Sequence, residues 1–180
     1  MHRETKITLT ILAIVVLVMG GYALYTSQRA GPPTEPLDEV GQTVATGNYQ
    51  TLDGDTYAFA PEAHALTVVV SWASWCPACE NELRQALALS ESYASSGVAV
   101  VAMNRAESPA RTQQYIQAVV PELLQSEVVV VTDPTDHLFA SIGGYTAPET
   151  IILTPDGTVQ HHVHGVMDDV SIRAAIEAAL

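Results

Sequence analysis

The sequence predicts an α/β domain with a mixed central sheet, on two observations. Short apolar runs rich in Val, Ile and Leu alternate with helix-like stretches over residues 66–142, and a hairpin-like pair then precedes a last helix. The only two cysteines of the 180 residues stand at the first run-to-helix junction, in Trp75-Cys76-Pro77-Ala78-Cys79.

Taken in order, Tyr49 to Tyr57 reads as two short strands around Asp53-Gly54. Residues 66–72 are a continuous apolar run and predict a buried strand. Residues 77–96 predict a helix with apolar residues at Leu83, Leu87 and Ala94, ended by Gly97. A second strand over 98–103 and a second helix over 109–119 follow, then a strand over 128–131 and a short helix over 134–142. Residues 150–154 and 158–164 predict a strand pair around Pro155-Asp156-Gly157. A helix over 168–180, with Asp168 or Asp169 near its start, closes the chain.

Residues 7–28 hold no charged side chain and are mostly apolar, and about 20 such residues span a bilayer as a helix. Arg3 and Lys6 precede the run, while Glu35, Asp38 and Glu39 follow it, which leaves the N-terminus in the cytoplasm. The chain then divides into a cytoplasmic stub (1–6), a transmembrane signal-anchor (7–28), a Pro-rich linker (29–42) and one domain (43–180). A cleaved signal peptide, with Gly21-Tyr22-Ala23 as a weak processing site, is the competing reading, and the run is long for one. Both put the domain outside the cytoplasm. The formal net charge of −13, with five Arg and no Lys beyond residue 28, disfavours nucleic acid, anionic lipid and polyanionic substrates.

A Cys-x-x-Cys pair opening a helix is a place where thiolates form easily, because unpaired N–H groups and the helix dipole stabilise the negative sulfur. A zinc half-site would need two more ligands, and there is no second cysteine pair. A purely structural bridge over so short a loop stabilises little. Dithiol–disulfide exchange is the reading the context favours. Cys76, first in the motif and nearest the helix end, is the attacking thiol, and Cys79 the resolving one. With no further cysteine in the chain, another protein must keep the pair in its working redox state.

These residues resemble the thioredoxin fold across roughly 43–180. The Trp75-Cys76-Pro77-Ala78-Cys79 motif matches its redox signature, and Ala147-Pro148 its cis-proline loop. The anchor and the N-terminal hairpin extension resemble the membrane-anchored, extracytoplasmic TlpA/ResA-like group of thiol:disulfide oxidoreductases. Ala147-Pro148-Glu149-Thr150, Glu82 three residues after Cys79, and Met103-Asn104 are similar to the DsbE/CcmG type that serves cytochrome c maturation. Thr146 stands where that group has glycine, Arg105-Ala106-Glu107-Ser108 is closer to the ResA-like pattern, and Val70 replaces the aspartate that thioredoxins bury.

The resemblance implies a periplasmic or otherwise external reductant, single-pass in the bacterial inner membrane. A membrane thiol reductase of DsbD/CcdA type would be its electron donor and apocytochrome c its client, with no cofactor. The backbone of Ala147 would pair with an extended client segment beside Pro148. Trp75, Pro77 and Tyr145 are candidate client contacts. Glu82, Glu149 and Glu107 are candidates for tuning the thiols or taking a proton, since negative charge near Cys76 raises its pKa. A general reductase with another client is the alternative. A copper-binding delivery module is a further one, since His162 and His164 share a face of their strand beside His161. A solvent-facing edge strand blunted by polar residues competes with that.

Overall fold

A computed structural model describes residues 15–22, 40–44 and 46–180. Residues 15–22 are helical, and among the described residues no helix is long and apolar enough to cross a membrane. The stub, the rest of the expected anchor and most of the linker lie outside the described residues. The described residues divide into two units, 15–22 and those from residue 40 onward, and all that follows concerns the second.

Seven strands form one sheet: β1 (Gly47–Thr51), β2 (Thr56–Phe59), β3 (Leu66–Trp72), β4 (Val98–Arg105), β5 (Val129–Asp133), β6 (Glu149–Leu153) and β7 (Val159–His164). Their order is β2-β1-β5-β4-β3-β6-β7. β3, β4 and β5 are parallel, and β6, β7 and the β1–β2 hairpin are antiparallel to their neighbours. The sheet is therefore mixed, and the hairpin extends it beside β5. Four helices accompany it: α1 (Cys79–Tyr93), α2 (Pro109–Val119), α3 (His137–Ser141) and α4 (Asp169–Ala179).

The sheet is buried on both faces, which is why its central strands read as unbroken apolar runs rather than alternating ones. Val68, Val70 and Trp72 of β3 pack with Leu83, Ala86 and Leu89 of α1 and with Ile172 and Ile176 of α4. Val69 points the other way, to Val101, Met103, Phe139 and Ile151. Each such side chain contributes about 1.5–3 kcal/mol by leaving water.

Four expectations are corrected. The first long helix runs Cys79–Tyr93 rather than over 77–96, because residues 76–78 form a turn in which the Cys79 N–H donates to the Cys76 carbonyl at 3.2 Å and residues 94–97 form another turn that ends at Gly97. Its inward stripe is Cys79, Glu82, Leu83, Ala86, Leu89 and Tyr93, so Leu87 is half-buried and Ala94 exposed. The helix over 134–142 shrinks to α3, because Asp136 sits in the left-handed region at φ 55°. Lastly, β4, β5 and β6 run past their apolar stretches into buried Asn104, Arg105, Thr132, Asp133 and Glu149. The apolar pattern stops before these residues, but the ladder does not: Trp72 pairs Asn104, Arg105 pairs Asp133 and Ser71 pairs Glu149. All of them gather at the end of the sheet where β3 delivers the chain to the cysteines.

Leu89 is fully buried on the inward side of α1, nearly three turns beyond Cys79. Leu89→Ala is expected to cost about 2–5 kcal/mol of stability, read as a fall in the denaturant midpoint, while the Cys76–Cys79 redox potential stays at its wild-type value.

Candidate active site

Cys76 and Cys79 are joined as a disulfide, with Cα atoms 5.4 Å apart. Cys79 is the first residue of α1, so both sulfurs lie at the helix's positive end. Cys76 is only 3 % exposed and Cys79 fully buried. Cys76 is thus the more accessible of the two by a narrow margin, and the exposed surface around it belongs to its neighbours Trp75 (65 %) and Pro77. On the approach to β6 the Ala147–Pro148 peptide is cis, Ala147 packs against the core cluster that holds both cysteines, and Tyr145 is 77 % exposed.

The three glutamates have three different environments. Glu82 lies one turn after Cys79 on the inward stripe of α1 and is fully buried. Its Oε1 accepts the Met167 N–H at 3.1 Å, and Oε2 has no hydrogen-bond partner among the described residues. Burial pushes its carboxyl up to about 7, with the Met167 bond only partly opposing.

Glu107 follows β4 and ties down the segment before Cys76. Its Oε1 accepts from Ser74 Oγ at 2.6 Å, and its Oε2 from the Ser74 N–H at 2.7 Å and Asn104 Nδ2 at 2.8 Å. Arg111 Nε donates to the same Ser74 Oγ at 2.9 Å. Burial works against ionisation here, but the Asn104 and Ser74 bonds and Arg111 outweigh it and hold the carboxyl below its ordinary range.

Glu149, at the start of β6, is fully buried and fully engaged. Its Oε1 accepts the Tyr145 and Thr146 N–H groups at 2.8 and 2.5 Å, and its Oε2 lies 3.3 Å from His162 Nε2 and 3.5 Å from Arg105 Nη1. His164 Nδ1 is 3.5 Å from Oε1. Burial raises its carboxyl, yet His162, the two backbone donors and Arg105 together bring it below the ordinary value.

Arg105, Asp136 and Gly144 were not legible as site residues in the sequence. Arg105 pairs with Asp136 through Nε–Oδ1 at 2.5 Å and Nη2–Oδ2 at 2.7 Å, and donates to the carbonyls of Thr146 and Gly144. It therefore clamps the loop that leads into cis-Pro148. An arginine closing an apolar strand, as in Val-Ala-Val-Val-Ala-Met-Asn-Arg, is the one signal that pointed to it. Gly144 is required by close approach: a Cβ there would lie 2.9 Å from the Phe139 carbonyl oxygen and against the Glu149 carboxylate.

Gly144→Ala is accordingly expected to lose about 1–3 kcal/mol, measured by thermal unfolding. Glu82 gives a pH signature. Its carboxyl is near 4.5 in the unfolded chain and about 7 in the fold, so the folded state holds an extra proton between those values. The associated stability is complete below pH 4.5 and is lost as pH rises through 7. Glu82→Gln abolishes that decline, so the variant should gain about 2–3 kcal/mol relative to wild type between pH 4.5 and 8, read from denaturant unfolding at each pH.

Comparison with known proteins agrees with this geometry. The Redoxin family model matches residues 39–180. The chain is similar to the thiol:disulfide interchange protein DsbE of Pseudomonas fluorescens biotype C, 23 % identical over 94 % of this chain and 92 % of that protein. It is likewise similar to the sporulation thiol-disulfide oxidoreductase A of Bacillus subtilis, 23 % identical over 89 % of this chain and 93 % of that one. For some other curated relatives the match spans about half of the relative's length. Among solved structures, a Chlorobium tepidum protein assigned as DsbE superposes with a TM-score of 0.69 at 20 % identity, over 78 % of this chain and 96 % of that one. The chain thus belongs to the Redoxin family, as a thioredoxin-fold thiol:disulfide oxidoreductase of the DsbE/ResA type whose redox pair is Cys76–Cys79.

Proposed function

We propose that the protein works as an extracytoplasmic reductant, held to the bacterial inner membrane by residues 7–28, that reduces disulfides on a secreted client. The observation that carries this is the buried Cys76–Cys79 pair with a fully buried carboxyl, Glu82, one turn away, which burial pushes up to about 7. Strong oxidants of this chemistry depend on a stabilised thiolate in the reduced form. Here burial disfavours the thiolate, and the nearby Arg111 is already engaged by Ser74 and Glu107.

In the reducing direction the Cys76 thiolate attacks one sulfur of the client disulfide. A Cys76–client bond forms and the client's other sulfur leaves as a thiolate. Glu82 then takes the proton of Cys79, whose sulfur attacks Cys76 and expels the second client thiolate. Two electrons have passed to the client, and the protein is left as the Cys76–Cys79 disulfide, the state observed here. A donor dithiol on a membrane thiol reductase of DsbD/CcdA type returns the pair to the reduced form. Trp75, Pro77 and Tyr145 supply an exposed apolar contact around the cysteines, and the Ala147 backbone offers an extended client segment its pairing groups.

Apocytochrome c, with its two haem-attachment cysteines, is the client best supported, through the likeness of Ala147-Pro148-Glu149-Thr150 to the DsbE/CcmG type. The similarity to a sporulation oxidoreductase favours a second reading, a reductase of the same chemistry with a different envelope client.

Cys79→Ser removes the resolving sulfur and should accumulate a Cys76-linked adduct in membranes, released by dithiothreitol and absent from the Cys76→Ser variant. Mass spectrometry of the adduct names the client. Recovery of no thiol-dependent adduct speaks against the reducing role.

A further inference from the structure

We propose that Glu149, His162 and His164 form a binding site for a divalent first-row transition-metal ion, separate from the dithiol. In the antiparallel β6–β7 pair Glu149 faces His164, and Ile151 faces His162. These four side chains share one face of the sheet, because two-residue spacing on a strand returns to the same side. Ile151 belongs to the core with Phe139, whereas Cys76 and Cys79 pack in the core on the other face. The histidine site therefore lies on the opposite face of the sheet from the cysteines.

The ligand geometry suits an ion. One ligand atom from each of the three residues lies within 4.8 Å of the others. The carboxylate oxygens stand 3.3 Å from His162 Nε2 and 3.5 Å from His164 Nδ1. Tetrahedral bonds of 2.0–2.1 Å separate neighbouring ligand atoms by about 3.4 Å, so these atoms need little movement to close on a metal. Two imidazoles and one carboxylate are a set that holds zinc and its neighbours while leaving a fourth position open.

The surroundings are built in the way ligand shells are. The carboxylate is oriented by the Tyr145 and Thr146 N–H groups, and outer-shell bonds of this kind fix a ligating carboxylate. Arg105 Nη1 stands 3.5 Å from Glu149 and opposes a cation, but its charge is shared with Asp136, which it contacts twice at closer range. With imidazoles uncharged, Glu149, Asp136 and Arg105 sum to one negative charge, which a divalent ion reverses. Entry is from the His164 side, where that side chain is 29 % exposed and the ring of Tyr145 stacks over it at 4.9 Å. A bound ion would fix Glu149, and through it the Tyr145–Thr146 backbone that leads into cis-Pro148.

The test is calorimetric titration of Zn2+ into the oxidised full-length protein, in which the disulfide withholds both thiolates as ligands. One ion per chain is expected, with binding at least tenfold weaker in His164→Gln and unchanged in His161→Gln, whose side chain lies on the other face of β7. His164 is partly exposed, so its variant folds, and equal thermal midpoints of the two variants without metal check this. No binding at millimolar Zn2+, or binding that His164→Gln leaves at wild-type strength, overturns the proposal.

Discussion

Strand β3 is buried along its whole length, and that single constraint arranges the rest of the domain. A strand with no exposed face must be flanked on both edges and covered on both sides. β4 and β6 supply the edges, α1 and α4 one cover, and the Met103–Phe139–Ile151 cluster the other. Because β3 and β4 are parallel, the chain must cross back between them, and α1 is that crossing. The only exit from β3 is therefore into the turn that carries Cys76, and Cys79 begins the helix that seals the face. The dithiol is buried because the fold needs α1 close against β3, not through any feature of the cysteines.

What was legible in the sequence follows from the same constraint. The runs 66–72 and 98–103 announced themselves by their clustered Val and other apolar residues, whereas Gly97, expected to end the helix, lies in the turn beyond its last residue Tyr93, with φ 74° and a Cβ position 3.3 Å from Ala65. The cysteine motif was legible because two residues of a rare type stood alone. Arg105 and Asp133 were not, although they extend the same strands, because hydrophobic periodicity is silent about polar residues buried through pairing; Glu149 was singled out through the family resemblance, but not as a buried strand residue. Asp136 escaped for a different reason: its value lies in an ion pair to a residue 31 positions away, and no local pattern encodes that. His162 and His164 were legible as sharing a face, but their convergence on Glu149 depends on the β6–β7 register.

Glu82 and Glu149 show that burial alone does not set the state of a carboxyl. Both are fully buried, so both pay to be charged. Glu149 receives two backbone N–H groups, a histidine and an arginine, and remains an anion. Glu82 receives one N–H, from Met167, and is pushed up to about 7. The difference comes from what the rest of the chain places opposite each. Glu149 stands at a strand end, where the preceding loop turns its N–H groups inward and Arg105 arrives from β4. Glu82 stands inside a helix, whose backbone N–H groups are already used.

That contrast fits the two residues to different work. An anion held by several donors is a poor proton acceptor, because taking a proton means abandoning them, and so Glu149 suits holding a loop or an ion in place. A carboxyl poised near neutrality exchanges its proton at small cost in either direction, which is what resolving a mixed disulfide asks of a group beside Cys79. The anion-stabilising contacts at Glu149 are also distributed over the loop that enters cis-Pro148, so loosening any one of them loosens that loop. In the proposed mechanism the two carboxyls are thus separated in role by the number of donors each is given.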